Sequence, residues 1–230
     1  FFKTEEKFAY AFDAAHQDGY FGLQDAESAK GFVEQDFKEY FHYYPWGRCP
    51  SHLLDNVKAY YEESQTLAAQ LLIWVEQHSP AQVKARYSQP LSTMIDGSVA
   101  SLLRILHYPP QKGDSKAPRA NAHEDINLLT ILPAADGPGL LVKHRDGQWI
   151  TVPNEPGTVI INTGDMLQEV SGGYFPSTTH QVAAGSGSLN ESRMSMPLFL
   201  HPKAEVKLSG RYTAGSYLRE RLQELGVLKA

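Results

Sequence analysis

Between residues 102 and 202 the apolar residues come in short runs cut by turn signals, and this constrains the fold more than any other feature of the chain. Such spacing is that of an all-β sandwich or barrel. Asp146-Gly147 lies between Leu140–His144 and Gln148–Val152, a two-residue hairpin signal because Asp-Gly tolerates positive φ. Gly164-Asp165 and Gly172-Gly173 mark two further turns.

The first half reads differently. Leu54, Val57, Tyr61, Leu67, Leu71, Leu72 and Val75 recur at helical spacing over residues 51–77, with Ser51 as the expected N-cap. Ser79-Pro80 is expected to open a short helix through about Tyr87. Further helices are expected over Thr4–Gln17 and Ala214–Leu225, and a strand over Gly19–Leu23. The stretch Gln111–Arg119 reads as a loop. An aromatic cluster of Phe37, Tyr40, Phe41, Tyr43, Tyr44 and Trp46 is expected to form a seam between the helical part and the β part, with the wall of a substrate mouth as its other reading.

At 230 residues the chain fits one domain with a full core. A net charge of −5 and the lack of a basic run argue against nucleic acid as partner. Cys49 is the single cysteine, which excludes an internal disulfide. With no long apolar span or signal peptide in view, the expectation is a reducing cytoplasm and no membrane.

His123 and Asp125 stand two apart, so on one strand they would share a face about 7 Å apart along the chain. An imidazole and a carboxylate so placed can converge on a metal at roughly 2.0–2.2 Å. His180 follows after 180 − 125 = 55 residues and is the candidate third ligand. Two histidines and one carboxylate on one side of an ion make the facial triad of non-heme Fe(II) oxygenases. Taken alone, His-x-Asp is more often a hydrogen-bonding pair at a strand end. Arg193 and Ser195 are a second i, i+2 pair, suited to gripping a carboxylate with two guanidinium N–H groups and a hydroxyl.

The surroundings of these residues resemble the iron/ascorbate, 2-oxoglutarate-dependent dioxygenases related to isopenicillin N synthase. The matching segments run in order: Leu103–Pro110, Ala122–Leu132, Pro138–Val142, Asp146–Trp149, Val152-Pro153, Gly157–Gln168, Ser177–Val182 and Arg193–Pro197. The resemblance implies a double-stranded β-helix, a cupin-like jelly roll with flanking helices. Residues 98–203 would form the core, 1–95 mainly helical support and 211–230 a C-terminal helix. It implies Fe(II) on His123, Asp125 and His180, with 2-oxoglutarate held by Arg193 and Ser195 and ascorbate as a candidate reductant. His107 takes the place of a tyrosine that often helps hold 2-oxoglutarate, and is a candidate contact. The implied reaction oxidises a small organic substrate with O₂, releasing succinate and CO₂. An isopenicillin N synthase-like oxidase using O₂ without 2-oxoglutarate stays open, since such relatives also keep an Arg-x-Ser pair. So does a non-catalytic jelly-roll binding protein with a structural metal.

Overall fold

The computed structural model describes residues 1–13, 15–25, 36–111, 119–183 and 191–227. In chain order the elements are β1 (Gly19–Phe21), β2 (Glu39–Tyr43), α1 (Ser51–His78), α2 (Ala81–Lys84), β3 (Leu102–Tyr108), β4 (Ala120–His123), β5 (Leu129–Pro133), β6 (Leu140–Lys143), β7 (Trp149–Thr151), β8 (Val159–Thr163), α3 (Asp165–Val170), β9 (His180–Val182), β10 (Arg193–Ser195), β11 (Leu198–Leu200) and α4 (Ala214–Glu224). The strands form two antiparallel sheets. The larger runs β1-β2-β3-β11-β5-β8, with β10 also paired to β3; the smaller runs β4-β9-β6-β7. Ala120 and Val182 of the smaller sheet pack against Leu106 and Tyr108 of the larger, so the sheets face each other as in a jelly roll.

Alternation along the strands decides which side chains enter the space between the sheets. On β3, Leu102, Arg104, Leu106 and Tyr108 share the inner face. Leu103 turns outward into the main core, where Phe41, Tyr43, Ile131, Leu198 and Leu200 meet Tyr61, Ala68 and Leu72 of α1. The long helix therefore backs the larger sheet; Tyr61 and Leu72 of its expected apolar face are buried, whereas Leu54 and Leu67 are exposed. Its N-cap is Pro50 rather than Ser51, and Ser79 closes the far end by donating to the Val75 carbonyl at 2.6 Å. α4 occupies its expected place, capped by a reciprocal pair of Thr213 and Ser216.

Other expectations are corrected. The helix over Thr4–Gln17 shortens to a single 3-10 segment, Glu5–Tyr10. Ala11 bridges Tyr20 and the Phe12 amide bonds the Tyr20 carbonyl, so sheet pairing takes the backbone away from the helix. The Asp13 carboxylate then folds a turn by accepting from the Ala15 and His16 amides. The hairpin after β6 is present, but its loop has three residues, 145–147. His144 still bonds Gln148, and Gly147 carries the positive φ of 90°. The expected loop at 111–119 falls largely outside the described residues. Among the described residues no helix is long and apolar enough to cross a membrane.

Candidate metal centre and carboxylate clamp

His123 closes β4, and Asp125 lies beyond it in the connection to β5. Strand alternation therefore does not place Asp125; the turn into α3 does. The Asp125 carbonyl accepts from the Asp165 amide at 2.8 Å, those of Ile126 and Asn127 from Met166, and that of Leu128 from Gly164. The first amides of α3, which have no partner within their own helix, thereby satisfy the loop that carries Asp125. Gly164 is required for this approach, because a Cβ there would lie 2.2 Å from the Asn127 carbonyl oxygen. The Asp125 side chain is fixed in turn: Thr130 Oγ1 donates to Oδ2 at 2.5 Å and itself accepts from Asn127 Nδ2 at 2.9 Å.

His123 and His180 are cross-strand partners in the β4–β9 pairing, with ring centres 4.4 Å apart. Each donates from Nδ1 to a carbonyl two residues earlier, Asn121 at 2.7 Å and Thr178 at 2.9 Å. A carbonyl can only accept, so Nδ1 holds the proton and Nε2 presents its lone pair. The Nε2 of His180 sits 3.7 Å from Asp125 Oδ1. Burial, reinforced by His180, brings the His123 imidazole down to about 4, which keeps it neutral and ready to ligate at neutral pH. Glu124 is not part of this cluster and accepts a hydrogen bond from Thr179.

One donor atom from each of His123, Asp125 and His180 lies within 4.8 Å of the others. Two imidazole nitrogens and one carboxylate oxygen suit Fe(II), and the single cysteine, Cys49, is not among them. The donor set fits the metal that the resemblance implies.

Arg193 and Ser195 are both buried on one face of β10, opposite Tyr108 and Leu106 of β3. Arg193 donates from Nε to the Gly137 carbonyl at 3.0 Å, and its guanidinium lies over the Tyr108 ring at 5.4 Å. Its Nη1 is buried and has no acceptor among the described residues. A buried guanidinium with an orphaned donor fits a carboxylate from outside the chain.

His107 is not brought to this pocket. It pairs with Met194 and so points to the opposite face of the larger sheet. There its Nδ1 meets Glu39 Oε1 at 2.7 Å and its ring stacks on Phe2. The aromatic residue beside the clamp is its neighbour Tyr108, buried and with its phenol raised by burial. Counting in twos back from the strand's end at Tyr108 is the signal that separates them.

A cavity of about 450 Å³ opens beside His123 and Asp125. Arg104 and Phe199 line it from the larger sheet, His201 from just beyond β11, and Leu218, Leu222 and Leu225 from α4 and its end. Arg104 lies over the rings of Tyr40 and Phe199 at 4.8 and 5.5 Å and donates to His42 Nε2 at 2.8 Å. Burial, then the Arg104 charge, hold His42 well below its usual range. The aromatic cluster thus divides: Phe41 and Tyr43 join the core, whereas Tyr44 lines the cavity and stacks on the exposed Trp46.

Residues 99–202 match the family model described as the 2OG-Fe(II) oxygenase superfamily. The chain is 31% identical over 164 residues to gibberellin 3-beta-dioxygenase 2 of Arabidopsis thaliana, covering 70% of this chain and 46% of that protein. It is 33% identical over 111 residues to a 2-oxoglutarate-dependent dioxygenase of Didymella fabae, covering 46% of this chain and 33% of that one. The chain thus spans less than half the length of these curated relatives. A crystallised protein of Shewanella oneidensis that carries an oxygenase assignment is 53% identical, with TM-score 0.87, covering 99% of this chain and 82% of its own. At 21% identity, a Neurospora crassa protein crystallised in complex with alpha-KG shares the fold with TM-score 0.74, over 96% of this chain and 78% of that one.

Proposed function

The chain belongs to the 2OG-Fe(II) oxygenase superfamily, and from that premise we propose that it oxidises a small organic substrate at an Fe(II) held by His123, Asp125 and His180. Arg193 and Ser195 bind the far carboxylate of 2-oxoglutarate, with Tyr108 packed beside them in the place expected of His107. The observation that carries this reading is the pairing of a three-donor cluster with a buried arginine whose Nη1 has no acceptor among the described residues.

When bound, Fe(II) and 2-oxoglutarate supply the activation of O₂: R–H, 2-oxoglutarate and O₂ become R–OH, succinate and CO₂. The chain's own residues prepare that chemistry. Asn121 and Thr178 hold the two imidazoles with Nε2 toward the metal position. Thr130 occupies Asp125 Oδ2 and leaves Oδ1 toward His180. Three protein donors on one side leave the other positions open for ligands. The cavity walled by Phe199 and α4 places the substrate next to His123 and Asp125 and limits water there.

The test is succinate formation from 2-oxoglutarate by the purified chain with Fe(II), in air and under argon. O₂-dependent succinate that disappears in His180→Ala supports the proposal. Equal succinate from His180→Ala contradicts it.

A further inference from the structure

Arg119 stands beside the clamp with a side chain the reading above does not use. It directly precedes β4, is buried, and donates from Nη2 to the Glu191 carbonyl at 2.8 Å, two residues ahead of Arg193. Its Nε–H is buried and has no acceptor among the described residues, as is true of Nη1 of Arg193. Each guanidinium is anchored by a neutral backbone carbonyl, Glu191 for one and Gly137 for the other. The two charges lie close enough that Arg119 lowers Arg193, after burial, and is also felt at Tyr108. Among the described residues the acid felt at Arg193 is Asp136, which is exposed and occupied by the Met194 amide. Buried cations are ordinarily paired with anions. Among the described residues the other acid near this pair, Asp36, is taken by Lys38 and Asn121, so the two unused donors suit a negative charge supplied from outside the chain.

We propose that Arg119 is a second cosubstrate-binding residue, its guanidinium joining that of Arg193 around the far carboxylate of 2-oxoglutarate. The inference rests on the functional reading above and extends it to a pocket with two cations. One guanidinium can hold a carboxylate through two N–H bonds. A second one adds charge at the same end and selects the dianion over a 2-oxo acid that lacks the far carboxylate.

The experiment is calorimetric titration of the full chain loaded with Zn(II), which accepts the same donor types without redox chemistry. The ligands are 2-oxoglutarate and 2-oxopentanoate, which share the oxo-acid end and differ at the far one. Arg119→Gln is expected to weaken 2-oxoglutarate about 10- to 100-fold and to leave 2-oxopentanoate unchanged. Arg119→Lys should recover part of the loss and provides a second variant if Arg119→Gln melts early by circular dichroism. Wild-type affinity for 2-oxoglutarate in Arg119→Gln overturns the inference. So does an equal loss for both ligands, which would reduce Arg119 to a prop for the Glu191 backbone. Failure of the wild-type chain itself to bind 2-oxoglutarate would overturn the functional reading, and this inference with it.

Discussion

The Thr130 hydroxyl donates a hydrogen bond to Asp125 at 2.5 Å, from a β5 position whose backbone pairs with Phe199 of the cavity wall. The bond ties a metal-ligand loop to the rigid larger sheet. Partners of this kind orient ligands, and losing one typically costs about 10- to 100-fold in metal affinity. Thr130→Val keeps the shape, removes the donor to Asp125 and orphans the buried Asn127 amide. We expect a drop of that size in Fe(II) or Mn(II) affinity, measured by competition with a chelator, and destabilisation of about 1–3 kcal/mol. Wild-type metal affinity in Thr130→Val would remove Thr130 from the account.

Gly164 is the second support of the same loop. A methyl group there meets backbone, the Asn127 carbonyl, rather than a flexible side-chain tip. Gly164→Ala should destabilise the fold by about 1–3 kcal/mol or more, as overpacking does. It should also weaken metal binding, because the Asp125 carbonyl is held by the next amide in the chain. Urea denaturation and a metal titration of the same variant check both effects. A stable variant with weakened metal binding would place the strain in the loop alone.

On the far face of the larger sheet, Glu39 gathers His107, Tyr20 and Lys7. Burial alone would raise the carboxyl, but these hydrogen bonds outweigh it and lower Glu39 from 4.5 to about 2. A depressed carboxyl contributes stability that is present above its unfolded value and lost as pH falls through the folded one. Stability should therefore drain between about pH 4.5 and 2. Glu39→Gln should flatten that slope and cost on the order of 2–3 kcal/mol at neutral pH. Urea midpoints measured across this range decide the matter; an unchanged slope would contradict the assignment.

The same placement puts His107 on the face of the sheet opposite Arg193 and Ser195. His107→Ala should lose stability by leaving Glu39 Oε1 short of a partner, with no change in 2-oxoglutarate affinity. Tyr108→Ala should reverse the pattern toward weaker cosubstrate binding. Titrations of the two variants side by side are the check, and a large affinity loss in His107→Ala would restore it to the pocket.

The candidate donors His123, Asp125 and His180 and the pair Arg193 and Ser195 can be singled out in the sequence because their spacing and surroundings repeat a known order of segments. Counting by twos succeeds for Arg193 and Ser195 because both lie on one real strand. His123 and Asp125 converge for another reason, since the strand ends between them and α3 amides shape the turn. His107 departs from its expected place by a single step: on a strand, one residue changes the face. The N-terminal helix is cut short because apolar spacing does not reveal that Ala11 and Phe12 have a sheet partner in Tyr20. Arg119 carries no motif at all. Only its burial beside Arg193, with an unused donor, singles it out.

The central claim is one site that takes both Fe(II) and 2-oxoglutarate. It is tested most directly by an anaerobic visible-absorption titration of the Fe(II)-loaded chain with 2-oxoglutarate, with Arg193→Ala alongside. A charge-transfer band that saturates with 2-oxoglutarate and needs higher concentrations in Arg193→Ala is the expected result. Iron bound by the wild-type chain with no band at any 2-oxoglutarate concentration would contradict it.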